Sequence, residues 1–205
     1  CGRCRYCQAG QQQHCLDMLF YGSAMRFPHV QGGFREQLVI EERQAVKLPA
    51  HIGAAQAAFA EPLAVCLHAA KRAGPLLGKR VLVTGSGPIG VLTVVAARAA
   101  GAGEIVVTDV VDGPLPIALK MGATTAINVM AEPDRLKADY GADKGSFDVM
   151  FEASGNQHAL TGAFDVVRPG GVIVQIGVGG NFTLPMNVVV AKEFDLRGSF
   201  RFHEE

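Results

Sequence analysis

Cys1, Cys4, Cys7 and Cys15 place four thiols within fifteen residues, in the pattern Cys-x2-Cys-x2-Cys-x7-Cys. Thiolates are soft donors that suit tetrahedral zinc at about 2.3 Å, and this spacing lets one loop wrap the ion without a distant partner. Four thiolates close the coordination shell to water. The chemistry expected is therefore structural, with binding energy folding a loop that has little core of its own. Disulfides are the competing reading, but bridges between such near neighbours are strained. A nucleic-acid-binding zinc ribbon would use two separated cysteine pairs. His14 could replace one thiol as a ligand, although four thiols already suffice.

A second pattern, Gly85-Ser-Gly87-Pro88-Ile89-Gly90, follows a short apolar run and opens a helix. Gly85 permits the tight turn, Gly87 lets backbone approach a pyrophosphate, and Gly90 allows close helix–strand packing. The helix N-terminus adds amide donors and a partial positive charge for phosphate, and Pro88 fits its first turn. Asp109 closes the next strand, 19 residues beyond Gly90. A carboxylate there can accept both ribose hydroxyls of an adenosine and would repel a 2′-phosphate, so NAD is expected over NADP. The alternative for Asp109 is a solvated turn residue.

Glu61 lies in the apolar stretch Ala58-Phe-Ala-Glu-Pro-Leu-Ala-Val65. A buried carboxylate there would need a charge partner or a metal, whereas an exposed one would be a helix-initiating acid before Pro62. Composition leaves both readings open. Cys66 and His68 stand two apart on the helix that follows, so they point to different faces and read as buried helix residues rather than ligands.

These groups need a scaffold, and the texture of the chain supplies one. Residues 53–73 are Ala-rich and helical, broken once at Pro62, with Gly74-Pro75 as punctuation. The strand–helix alternation begins at Lys79. Strands are expected at Val81–Thr84, Ile105–Thr108, Thr125–Asn128, Asp148–Phe151, Val172–Ile176 and Phe194–Phe202. Helices are expected at Ile89–Ala100, from near Pro114 to Gly122, and at Gln157–Val167. Phe34–Ile40 reads as a strand in the part before this series. Short apolar strands alternating with helices predict an α/β fold, a doubly wound parallel sheet covered on both faces. A hinge is expected near residues 70–78.

The totals exclude several function classes. Hydrophobic residues make up 49% and charged residues 19%, a globular balance, and basic and acidic residues number 19 each. Without a basic field, nucleic acid and anionic membrane surfaces are not expected partners. No apolar run is long enough to span a bilayer. Close Cys-x-x-Cys spacing without a secretory signal points to metal and a cytoplasmic protein. The first residue is a cysteine, from which a missing upstream segment is expected.

Taken together, the cysteine loop, Glu61-Pro-Leu-Ala-Val65 and Gly85–Gly90 resemble the zinc-containing medium-chain alcohol and polyol dehydrogenases, specifically the sorbitol dehydrogenase-like branch. Phe20-Tyr-Gly-Ser-Ala-Met25 with Phe27-Pro-His-Val-Gln-Gly-Gly-Phe34, Phe59–Val65 and Gly198-Ser-Phe-Arg-Phe202 resemble dehydrogenases of the sugar acid L-idonate. The likeness runs over nearly the whole chain.

The resemblance implies a partial GroES-like, β-rich catalytic domain with a structural-zinc lobe and linking helices over 1–72. A Rossmann NAD-binding domain, incomplete at its C-terminus, would occupy 73–205. It places Glu61 at a catalytic zinc, directly or through water, Arg201 beside the substrate, and Phe200, Val178 and Ile89 at the cofactor. A fixed guanidinium at Arg201 suits a sugar acid, since it can pair bidentately with a carboxylate; otherwise Arg201 is a solvated strand residue. A homo-oligomer, dimer or tetramer, is implied as well.

The chain departs from the family pattern in three places. The family's other catalytic-zinc ligands belong to a segment upstream of Cys1, and the C-terminal return to the catalytic domain is missing. Pro114 stands where many relatives carry an arginine beside the cofactor. The rival readings are another polyol dehydrogenase, a zinc-free quinone reductase on the same fold, and an inactive zinc- and NAD-binding fragment.

Overall fold

The structure, a computed structural model, describes residues 1–202. The chain falls into two units, Cys1–Ala60 with Phe202, and Glu61–Arg201. The first unit holds two short helices, α1 (Arg5–Gln8) and α2 (Ala54–Ala57), with single 3-10 turns at Gln12–His14 and Glu42–Gln44. Among its described residues the buried ones are Gln13 and Ser23, both polar, while Phe27, Phe34, Val39 and Val46 are exposed.

The strand expected at Phe34–Ile40 is not formed. Its alternation suits a strand, but a strand persists by pairing its amides and carbonyls, and the first unit has no strand to pair with among its described residues.

The second unit opens with α3 (Ala60–Ala73), whose Pro62 sits in the first turn, where a missing amide costs nothing. Gly74, at φ +88°, ends it in a left-handed conformation that a side chain would oppose. Then come β1 (Arg80–Thr84), α4 (Pro88–Ala99), β2 (Glu104–Asp109), α5 (Leu115–Lys120), β3 (Thr125–Asn128) and α6 (Arg135–Tyr140). The second half adds β4 (Phe147–Glu152), α7 (Gln157–Gly162), β5 (Val167–Gln175), α8 (Met186–Ala191) and β6 (Asp195–Gly198).

The six strands form one sheet in the order β3-β2-β1-β4-β5-β6, each neighbouring pair parallel. This is the Rossmann order, and its direction reverses between β1 and β4. Alternate residues of each strand feed opposite layers. Val81, Val83, Ile105, Val107, Phe151 and Val174 pack with α3, α4 and α5. Leu82, Val106, Ile127, Met150 and Ile173 pack on the other face with Leu160, Phe164 and Val189. Burial on both faces explains why the central strands are apolar runs rather than alternating ones.

Several boundaries differ from expectation. The helix expected to reach Val167 stops at Gly162, and β5 starts at Val167, five residues before the expected Val172. Its Pro169-Gly170-Gly171 segment hides the strand from a sequence reading, because proline and glycine punctuate like a turn. β6 ends at Gly198, so Phe200 and Arg201 lie beyond it, and Arg201 takes φ +56°. The solvated-strand reading of Arg201 is thereby corrected. The short helices α6 and α8 were not anticipated. No helix among the described residues is long and apolar enough to cross a membrane.

Candidate functional site

The four cysteines converge. Cys4 caps α1, Cys7 lies within it, Cys1 precedes it, and Cys15 follows the Gln12–His14 turn. The helix turn is closed by Gln8 donating its amide to the Cys4 carbonyl at 3.0 Å. The four sulfurs lie within 4.8 Å of one another, and none is in a disulfide. Tetrahedral zinc bound to four sulfurs at about 2.3 Å has edges of roughly 3.8 Å, so the donor set fits the ion in kind, number and spread. Backbone amides of Cys7 and Leu16 bring the Cys4 thiol down to about 6, toward the thiolate that metal requires, while burial pushes the Cys7 thiol up.

The glycine turn lies at the carboxyl end of β1, on the reversal point of the sheet. Gly85 takes φ +88°, and a Cβ there would stand 2.9 Å from the Ser154 amide nitrogen. At Gly90 a Cβ would stand 1.8 Å from the Gly85 carbonyl oxygen. No atom lies within 4 Å of a Cβ placed on Gly87, which caps α4 with Pro88 behind it. Two glycines are thus required by packing and the middle one leaves open space, the arrangement a pyrophosphate needs to reach the amides of a helix N-terminus.

Asp109 ends β2 beside this turn. Its Oδ2 accepts from the Ser86 amide and the Ser86 hydroxyl, both at 2.6 Å. Oδ1 accepts from the amides of Val110 at 2.7 Å and Val111 at 3.2 Å. Partial burial pushes the Asp109 carboxyl up, but the Ser86, Val110 and Val111 hydrogen bonds outweigh it and hold the group below the usual carboxylate range. Asp109 is thus a half-exposed carboxylate held both by the amides that follow it and by Ser86 of the glycine turn.

The remaining expected residues are more dispersed. Glu61, in the first turn of α3, is exposed. It therefore has no burial to compensate, and the argument that it must have a partner does not apply. Among the described residues the four cysteines are the one group of three or more metal-ligating side chains, so Glu61 has no companions for a second zinc. The residues present do not make that site.

Cys66 and His68 are buried on the inner side of α3, and the Cys66 thiol donates to the Ile89 carbonyl at 3.4 Å. Burial pushes that thiol up, which suits a packing residue rather than a ligand. Val178, after β5, is 94% exposed. Phe200 follows β6, with the Arg201 guanidinium over its ring at 4.6 Å. Val178 and Phe200 share the carboxyl edge of the sheet with the glycine turn, because β5 and β6 are neighbours and the Ser199 amide donates to the Gln175 carbonyl at 2.9 Å. Pro114 leads into α5.

Residues 88–205, more than half of the chain, match the family described as zinc-binding dehydrogenase. The chain belongs to the zinc-binding dehydrogenases. Residues 1–50 match the alcohol dehydrogenase GroES-like domain. The chain is 46% identical to L-idonate 5-dehydrogenase (NAD(P)(+)) of Escherichia coli, an alignment covering 100% of this chain and 59% of that protein. It is 36% identical to a sorbitol dehydrogenase of Bacillus subtilis, over 98% of this chain and 57% of that protein. The crystal structure of the Escherichia coli L-idonate 5-dehydrogenase superposes with a TM-score of 0.94, covering 100% of this chain and 58% of that one. This zinc-binding dehydrogenase chain thus spans less than two thirds of the length of the relatives it matches.

Two further side chains of this zinc-binding dehydrogenase family member are assigned no role by the motifs. Ser86 is 1% exposed and supplies two of the four bonds to Asp109; a hydroxyl inside a glycine turn was the available signal. Glu152 is fully buried at the end of β4. Its signal was an acid closing an apolar strand just before Ser154-Gly155.

Proposed function

We propose that this chain is the structural-zinc lobe and nucleotide-binding domain of an NAD-dependent dehydrogenase that oxidises a secondary alcohol of a polyol or sugar acid. L-idonate, giving 5-ketogluconate, is the substrate we put first. The observation that carries the reading is the glycine turn at the β1/β4 reversal with Asp109 fixed beside it. In this reading Gly85, Gly87, Pro88, Ile89 and Gly90 seat the pyrophosphate, and Asp109 takes the adenosine ribose. Val178 and Phe200 border the nicotinamide, which when bound supplies the hydride acceptor. Cys1, Cys4, Cys7 and Cys15 hold the structural zinc.

The 1–72 and 73–205 division of labour belongs to the same proposal. So does a homo-oligomer, dimer or tetramer, in which the β6 sheet edge would pair with a second copy. A catalytic zinc in the whole protein would polarise the substrate hydroxyl, with Glu61 contributing to it from the start of α3. Arg201 is cast as the reader of a substrate carboxylate. Its guanidinium stacks on the Phe200 ring, and a guanidinium held in this way loses less freedom on pairing. The sorbitol dehydrogenase likeness favours a neutral polyol as the second reading.

Oxidation of L-idonate and of sorbitol by the whole protein, followed as NADH formation, separates them. Arg201→Ala should harm L-idonate more than sorbitol by about 1.5–3 kcal/mol, the scale of a charge-assisted hydrogen bond. Equal loss on both substrates would assign Arg201 to structure. This chain by itself should oxidise neither, because Glu61 lacks the companions that a zinc site of three protein ligands requires.

A further inference from the structure

Glu152 ends β4 with 0% exposure, and burying a carboxyl group is costly unless its lone pairs are met. Among the described residues every partner of its side chain is a neutral donor. Oε1 accepts from the Ser154 amide at 2.8 Å, from the Ser154 hydroxyl, and at 3.5 Å from the Thr84 hydroxyl. Oε2 accepts from the Gly155 amide at 3.0 Å and from the Gln175 side-chain amide. The Glu152 main-chain carbonyl also takes the amides of Ile176 and Gly177, both at 2.8 Å. One residue thereby joins β1, the turn after β4, and the end of β5, at the point where the strand order reverses.

The packing around these bonds has no slack. A Cβ on Gly177 would stand 2.2 Å from the Gly155 amide nitrogen and 2.8 Å from Glu152 Oε2. A Cβ on Gly179 would stand 2.2 Å from the Gly155 carbonyl oxygen. On the opposite side, Gly85 meets Ser154. The Ser154–Gly155 turn is therefore wedged between the glycine turn of β1 and the Gly177–Gly179 turn that displays Val178, and Glu152 holds it there. A dinucleotide lying across the reversal point with its adenosine at Asp109 must direct its other half toward β4 and β5.

We infer that Glu152 is a positioning residue for the nicotinamide half of the cofactor, fixing the Ser154–Gly155 and Gly177–Gly179 turns on which that half rests. The inference depends on the dinucleotide reading above. Asp109 governs the adenosine half, so the two carboxylates divide the cofactor between them. Glu152→Gln keeps size and shape but turns an NH2 group toward donors, leaving at least one part-buried amide unpaired.

The test titrates the intact chain with NADH and with AMP, which carries the adenosine half alone, and compares thermal melts. Glu152→Gln should weaken NADH by roughly tenfold, the effect of one lost charge-assisted hydrogen bond, and change AMP by less than about twofold. Ser154→Ala removes a single donor and should show the same selective loss to a smaller degree, which carries the test if Glu152→Gln does not fold. Equal loss of NADH and AMP in a folded variant, or unchanged NADH in both variants, overturns the inference. A wild-type chain that takes up neither ligand overturns the dinucleotide reading and the inference with it.

Discussion

Asp109 accepts four hydrogen bonds from its own chain, two of them from Ser86, so its carboxylate is oriented independently of any ligand. Three of those donors are main-chain amides fixed by the turn. The Ser86 hydroxyl is the one that can rotate to free a lone pair for a ribose hydroxyl. Replacing Asp109 with Ser should weaken NAD by about 1–3 kcal/mol. NADP should lose less, because the repulsion of its 2′-phosphate goes as well; calorimetric titration of both cofactors into the variant measures the two changes. The residue types of this site were legible in the sequence because glycines at a strand–helix junction have few other uses. Ser86 and Glu152 were not, since a hydroxyl or a carboxyl reveals its role only through the donors and acceptors that the fold brings to it. The sequence leaves Glu61 open between a buried carboxylate and a helix-initiating acid, and the structure exposes it in the first turn of α3.

At the scale of elements, the apolar runs of β1, β2 and β4 made the parallel sheet readable, whereas elements defined by pairing or by end contacts did not show. Phe34–Ile40 alternates like a strand yet finds no strand partner among the described residues. β5 runs through Pro169-Gly170-Gly171 because Phe147 and Val149 pair with it across an irregularity in register. Asp148 secures this end of the sheet. It accepts from the Arg80 amide at 3.0 Å, from Arg168 Nε at 2.8 Å and from Lys79 Nζ at 3.5 Å, tying the starts of β1, β4 and β5. Partial burial pushes the Asp148 carboxyl up, but the Arg80 amide, Arg168 and Lys79 together hold it below the usual range. A depressed folded-state value contributes stability that is present above the unfolded value, about 3.9, and is lost as pH falls through the folded one. Asp148→Asn should therefore lower the melting temperature at neutral pH. The gap from wild type should narrow as the pH falls from about 3.9 through the lower folded-state value. Thermal melts of both proteins across that range check the sign, and a gap that stays constant with pH would assign the effect to packing.

For the molecule as a whole, the two units differ in what can hold them. The second has a two-faced apolar core around its sheet. The first buries no hydrophobic residue among those described, so the cysteine loop depends on its metal in the way small coreless modules do. One zinc per chain is expected by elemental analysis. Cys4→Ser should release it and abolish the ordered signals of the first unit, while the cooperative melt of the second persists. The claim on which the functional account turns is that the second unit receives NAD at the β1/β4 reversal with Asp109 setting the preference. The Escherichia coli relative carries NAD(P)(+) in its name, so the choice between cofactors is open to decision by this chain's own residues. Calorimetric titration of the intact chain with NAD and, separately, with NADP tests it most directly. The account predicts saturable binding of NAD and distinctly weaker binding of NADP; equal affinity for the two, or no binding of either, would contradict it.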